Sequence, residues 1–131
     1  MTTFITGANR GIGLALATHA AARGDAVIAT SRTSQTQSLR GVTWEQLDVT
    51  QSASHRAVAT RLAGRPLAKL ICNAGILLDR HQSLESGYDA DLWAQTFAVN
   101  VTGVFLTIQA LLPNLLAAQG KIAIISSQMG S

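Results

Sequence analysis

Apolar residues along this chain fall into short continuous runs that alternate with stretches of helical spacing. The first run, Thr2-Thr3-Phe4-Ile5, is β-branched and apolar and predicts a strand. From Gly11 to about Arg23 the period changes. Ile12, Leu16 and Ala20 recur at four-residue spacing with Ala15 and Ala17 beside them, which predicts a helix with one apolar stripe. Gly24 stands where such a helix ends. Asp25 to Ser31 then reads as a continuous buried strand, the form a parallel sheet requires. The polar stretch Thr33 to Gly41 predicts a loop, and Val42 to Asp48 a third strand. A short helix is expected over roughly Ser52 to Ala63, closed by Gly64 and Pro66, and a fourth strand over Ala68 to Cys72.

Residues Ile76 to Tyr88, with Asp79-Arg80-His81, Ser83 and Gly87, are polar and irregular. They read either as a surface connection or as the lining of a substrate pocket. The longest helical pattern runs from about Asp89 to Ala118. Trp93, Phe97, Val101, Val104, Ile108, Leu111 and Leu115 recur at spacings of three and four, flanked by Leu92, Phe105, Leu112 and Leu116. A stripe this wide is either one broad core face or a sheet-covering face beside one that meets another subunit. Pro113 lies inside the pattern and predicts a kink or local opening there. Gly120 to Ile125 predicts a fifth strand, which runs into Ser126-Ser127-Gln128-Met129-Gly130-Ser131. Strands alternating with helices make an α/β fold: a single domain over 1–131, a doubly wound parallel sheet of Rossmann type.

Composition narrows this picture in a few places. With 47% hydrophobic and 13% charged residues the chain buries a core and is not disordered. The net charge of +3 is scattered rather than gathered in a stripe, so nucleic acid is not an expected partner. No uninterrupted apolar run reaches membrane-spanning length, and the chain enters its first strand without a leader, so neither a membrane nor secretion is expected. The lone cysteine, Cys72, sits in an apolar run and reads as core packing, and the absence of an internal disulfide fits the cytoplasm. His19, His55 and His81 are far apart, read as surface or partly exposed, and predict no metal site.

Candidate chemistry begins at Thr6-Gly7-Ala8-Asn9-Arg10-Gly11-Ile12-Gly13, a glycine-rich turn between a strand and a helix. Gly7 lets the chain turn sharply, Gly11 lets backbone approach a pyrophosphate, and Gly13 lets the helix pack closely on the strand. The helix N-terminus offers N–H groups and a positive dipole end to phosphates. At the end of the second strand stands Ser31-Arg32, where an acidic residue would favour NAD(H) by accepting the ribose hydroxyls. An arginine there, with Arg10 in the glycine loop as a second guanidinium, favours a 2′-phosphate and predicts NADP(H) over NAD(H). Asp48 ends the third strand at the ligand edge of the sheet, where the plain alternative is that Asp48 or Thr50 caps the following helix. Asn100 is a polar residue in an apolar register and, if buried, needs partners.

The Thr-Gly-x-x-x-Gly-x-Gly spacing resembles the cofactor fingerprint of the short-chain dehydrogenase/reductase family. Asp48-Val49, Asn73-Ala74-Gly75, Asn100 and Ser127 resemble further family motifs and occur in the same order, so the resemblance covers the whole chain. It implies cofactor contacts at Gly7, Asn9, Arg10, Gly11, Ile12, Gly13, Ser31, Arg32, Asp48, Val49, Asn73, Ala74 and Gly75, with Asp48-Val49 beside the adenine. It implies catalytic roles for Ser127, as a substrate-binding hydroxyl, and for Asn100, which in the family holds a local helix distortion and positions a water. The Ser-Ser-Gln-Met-Gly-Ser ending resembles the C-factor-like subgroup.

The departure is the family's Tyr-x-x-x-Lys pair. The one tyrosine, Tyr88, has Leu92 four residues on, and no such motif follows Ser127. The expectation is therefore a C-terminally incomplete fold. It would be the cofactor half of an oxidoreductase that moves hydride between nicotinamide and a small carbonyl or secondary alcohol, inactive by itself and pairing with itself through the 89–118 helix. The alternative is a catalytically inactive nucleotide-binding or signalling module of the same fold.

Overall fold

The computed structural model describes residues 1–34, 37–78 and 80–127. Gln35 and Thr36 of the polar loop, Asp79 of the irregular segment, and residues 128–131 of the serine-rich ending lie outside the described residues.

Among the described residues five strands form one parallel sheet: β1 (Thr2–Ile5), β2 (Ala26–Ser31), β3 (Val42–Gln46), β4 (Lys69–Cys72) and β5 (Lys121–Ile124). Their spatial order is β3-β2-β1-β4-β5. Winding proceeds outward from β1 to β3 and then reverses at β4, so the ligand crevice of such a sheet lies beyond the carboxyl ends of β1 and β4. The connections are α1 (Gly11–Ala22), α2 (Ser52–Arg61), and a long helix made of α3 (Ala90–Phe97), a five-residue π turn (Ala98–Thr102) and α4 (Gly103–Ala117).

Strand alternation divides the core in two. Phe4, Ile28 and Leu70 turn to the side of α2 and α4 and join Val58, Leu62, Leu111 and Leu115. Ile5, Val27 and Ala29 turn to the side of α1 and meet Ala8, Ala17 and Ala20. The α1 layer is built mostly of small residues with Leu16 partly buried beside them, and this corrects the expected stripe at Ile12 and Ala15. Gly13, Ala17 and Ala20 are buried, whereas Ile12 is 63% exposed and Ala15 is also exposed. Close approach of α1 to β1 selects the smallest side chains for contact and rotates Ile12 outward.

At the opposite end of the sheet, buried Asp25 draws Thr3 Oγ1 (3.1 Å), Arg23 Nη2 (3.4 Å) and Lys69 Nζ (3.9 Å) onto one carboxylate oxygen. Burial opposes its ionisation, but the Thr3 hydroxyl and the two cations outweigh that and hold the carboxyl below its usual range.

Asp89 caps α3, its Oδ1 accepting the N–H groups of Asp91 (2.9 Å) and Leu92 (3.1 Å). Pro113 does not open the helix, because α4 is continuous through it. Both Pro113 and Gln109, whose carbonyl Pro113 cannot serve, are exposed, so water can satisfy that acceptor. The opening lies upstream, at the π turn around Asn100. By length and composition the continuous helix Ala90–Ala117, 28 residues with an 18-residue stretch of mean hydropathy 1.5, is long and apolar enough to cross a bilayer. Its face bearing Gly103, Thr107, Leu111, Asn114 and Leu115 is buried within the protein, as in a helix that covers a sheet. The face bearing Trp93, Phe97, Val101, Phe105, Leu112 and Leu116 is open, as is the whole of edge strand β5.

Candidate functional site

Where β1 ends, Thr6 is buried, and its Oγ1 accepts hydrogen bonds from the backbone N–H groups of Asn73 (3.0 Å) and Ala74 (3.0 Å). In return, the Asn73 side chain donates to the Gly7 carbonyl at 2.9 Å. The glycine loop and the exit of β4 are thus tied by three hydrogen bonds, and the Asn73 side chain pins the neighbouring segment. Gly7 has φ +62°, and a Cβ there would lie 2.9 Å from Ala74 Cα. A Cβ on Gly13 would lie 2.5 Å from the Gly7 carbonyl oxygen. Gly11 differs: its φ is +58°, yet a Cβ would meet no atom within 4 Å, so this backbone is left open on the cleft side. Arg10 precedes α1 without capping it by its side chain, which leaves the first-turn N–H groups available to an anion.

These elements enclose a cleft of about 470 Å³. It brings together Gly7, Asn9, Arg10, Gly11 and Ile12 from the loop, Ser31 and Arg32 from the end of β2, Val49, and Asn73, Ala74 and Gly75 beyond β4. Arg10 and Arg32 are exposed on its rim. The remaining expected residues stand outside the lining. Gly13 packs beneath the loop.

Asp48 turns away while its neighbours Leu47 and Val49 face the cleft. Its Oδ1 accepts from Thr50 N (2.9 Å) and Thr50 Oγ1 (2.6 Å), and its own N–H donates to Ser54 Oγ (2.9 Å). Burial works against the Asp48 charge, but the Thr50 hydrogen bonds and the nearby Arg32 hold its carboxyl below the usual range. Neither Asp48 nor Thr50 caps α2. Gln51 occupies that position without a side-chain bond, and Asp48 instead shapes the turn before it.

Asn100 is also outside the lining and is exposed, and both ends of its amide are engaged. Its Oδ1 accepts from Ile76 N (2.9 Å), and its Nδ2 donates to Ile76 O (2.8 Å). It sits in the π turn, where the Gly103 N–H reaches back to the Ala98 carbonyl. Ser127 follows β5 and is exposed. Cys72 is buried, and burial pushes its thiol up to about 11, consistent with packing and not with a reactive thiolate.

Sequence reasoning missed Thr33, Leu47, Ile76 and Val99, which also line the cleft. Ile76 and Val99 meet there because Asn100 joins their segments. The signal was the polar residue in an apolar register, but its partner was not legible. It also misplaced His55, which is buried rather than surface-lying. Among the described residues no group of His, Cys, Asp or Glu is placed to hold a metal.

The sequence matches the family described as short chain dehydrogenase over residues 1–131. The chain belongs to this family. Among curated relatives, it is 34% identical to protein FixR of Bradyrhizobium diazoefficiens over 97% of this chain and 50% of that protein. Among solved structures, it is similar to a gluconate 5-dehydrogenase of Burkholderia cenocepacia in complex with NADP and tartrate. Identity there is 30% and the TM-score 0.84, over 96% of this chain and 53% of that one. A short-chain dehydrogenase/reductase of Burkholderia multivorans with bound NADP is 28% identical with a TM-score of 0.84, over 99% of this chain and 60% of that one. The chain thus spans about half the length of the curated relative FixR.

Proposed function

We propose that this short-chain dehydrogenase chain is the NADP(H)-binding half of an oxidoreductase that interconverts a carbonyl and a secondary alcohol. The observation that carries this reading is a single cleft with a glycine loop and open helix N-terminus on one side, and Arg10 and Arg32 on its rim, with no acidic side chain among the described residues of its lining. The residues fit a dinucleotide: the open backbone at Gly11 leaves room for a pyrophosphate, and the rim supplies two cations for a 2′-phosphate. The structural relatives bound to NADP support the same cofactor class.

In this reading Gly7, Asn9, Gly11 and Ile12 hold the pyrophosphate, while Ser31, Arg32 and Arg10 hold the phosphorylated ribose. Val49 flanks the adenine, with Asp48 fixing that turn, and Asn73, Ala74 and Gly75 support the far ribose. Gly13 sets the close packing on which the loop rests. The bound cofactor supplies or accepts a hydride. Ser127 offers a hydroxyl to the substrate oxygen, and Asn100 holds a water near it. Proton transfer calls for a further acid–base group, which Tyr88 does not supply: its ring stands edge-on to Trp93 at 5.2 Å and no lysine lies four residues on. The 131 residues are expected to bind cofactor without turnover. Self-association through the open face of the 89–118 helix and a cytoplasmic location, with no nucleic-acid or membrane partner, complete the proposal.

The test is substitution of the rim cations. Arg32→Ala should weaken NADPH binding about tenfold, the loss of one charge-assisted contact, and change NADH binding less than about twofold. Equal losses for both cofactors, measured by fluorescence titration, would remove the 2′-phosphate assignment.

A further inference from the structure

His55 is 5% exposed and lies where α2 packs against α4. Its Nε2 is 2.9 Å from Thr107 Oγ1, and the Thr107 hydroxyl donates to the Gly103 carbonyl at 2.7 Å. A hydroxyl has one hydrogen to give. With that hydrogen on Gly103, the imidazole must donate from Nε2 to Thr107, and Nδ1 is left bare. Nδ1 is indeed buried without a hydrogen-bond partner, and the Gln51 carbonyl acts on the ring without closing a bond to it. Gly103 is the residue that closes the π turn on Ala98, and a Cβ there would lie 2.8 Å from Val49 Cγ2. The same turn carries Val99 into the cleft wall and Asn100 onto Ile76. A line of contacts therefore joins a buried imidazole to the cleft it does not touch.

We propose that His55 is a positioning residue for the cleft: by keeping the Thr107 hydroxyl on the Gly103 carbonyl, it fixes the π turn and makes the cleft sensitive to protonation at Nδ1. The consequence for cofactor rests on the dinucleotide reading, whereas the brace itself does not. A proton on Nδ1 must be housed within the α2–α4 contact. Burial disfavours it; the Gln51 carbonyl and the Asp48 carboxylate favour it; burial wins, and His55 titrates below the ordinary histidine range. Asp48, in the turn before α2, is the charge that acts on it, with Arg32 beside Asp48. Arg56 on α2 is exposed, and α4 has no ionisable side chain from Gly103 to Ala117. With the folded value below the unfolded one, the neutral form supports the fold above about pH 6.5. That support is lost as pH falls through the lowered value.

The test follows the Asn100 side-chain amide and the Ile76 backbone amide by NMR from about pH 7.5 to about pH 5 in the full chain, with NADPH affinity over the same range. His55→Gln keeps a donor toward Thr107 and cannot titrate; His55→Leu removes the donor. In the unmodified chain both amides should shift on one titration with a midpoint below about 6.5, and affinity should fall about fivefold more than in His55→Gln. That difference removes the ligand's own titration. His55→Gln should hold its amide positions and its affinity at the upper pH within about twofold, and His55→Leu should lose both. Amides that stay still while His55 titrates, or a pH response that survives in His55→Gln, would overturn the proposal. If the unmodified chain binds no NADPH, the dinucleotide reading falls and the amide titration still decides the role of His55. If His55→Leu does not fold, the His55→Gln comparison decides it.

Discussion

Gly13→Ala should unfold more readily than the parent chain by about 2 kcal/mol, although alanine is the better helix former. The two effects can be weighed. Alanine in a helix interior gains about 1 kcal/mol over glycine. Against this, the added methyl would lie 2.5 Å from both the Gly7 carbonyl oxygen and Asn73 Nδ2, and 2.9 Å from Ala8 Cα. Two of these neighbours are backbone and cannot swing aside, so overpacking should cost about 3 kcal/mol, the upper end of its usual range. The clash dominates. The melting temperature should drop by on the order of 5–10 °C. The atoms displaced are those of the Asn73–Gly7 hydrogen bond, so NADPH affinity should fall with stability. Gly11→Ala provides the contrast: its methyl meets nothing within 4 Å, and only the positive φ is strained, at about 1–2 kcal/mol. A Gly13→Ala chain as stable as the parent would contradict the packing described for the loop.

Thr6→Val should cost about 2–6 kcal/mol, although shape and volume barely change. The hydroxyl accepts two backbone N–H groups, those of Asn73 and Ala74, in a buried position. A methyl in its place strands both donors, at about 1–3 kcal/mol each. Thr6→Ser keeps the acceptor and loses only a methyl, at about 1 kcal/mol. Urea unfolding should therefore show a clear fall in midpoint with unchanged slope for valine and a small fall for serine. Equal midpoints for valine and serine would show that the hydroxyl is not what joins the glycine loop to β4.

Both predictions concern residues whose importance was legible in the sequence to different degrees. The glycine spacing, the buried strands and Gly24, which takes φ +94° beyond α1, follow from local rules, and the sheet assembled as those rules implied. What failed were judgements about which way a residue faces. Ile12 fits a helical stripe with Leu16 and Ala20, but the close approach allowed by Gly13 turned Ile12 outward, while Leu16 and Ala20 kept to the interface with Gly13 and Ala17. Pro113 was the obvious breaker, yet an exposed proline whose orphaned acceptor faces water can be carried, and the π turn formed instead at Asn100. His55 reads as a surface histidine because nothing nearby in the sequence offers it a partner. That partner, Thr107, is 52 residues away. The Thr6 double acceptor was hidden for the same reason. The lining of the cleft was legible where backbone freedom shapes the turn. It was not legible where a side chain's role depends on a distant segment.

Parallel equilibrium titration of the unmodified 131-residue chain with NADPH and NADH shows whether the rim cations select the phosphorylated cofactor. Tighter binding of NADPH by about tenfold or more, a gap that narrows as salt is raised, is the predicted result. Equal affinity for the two, or tighter binding of NADH, would contradict it.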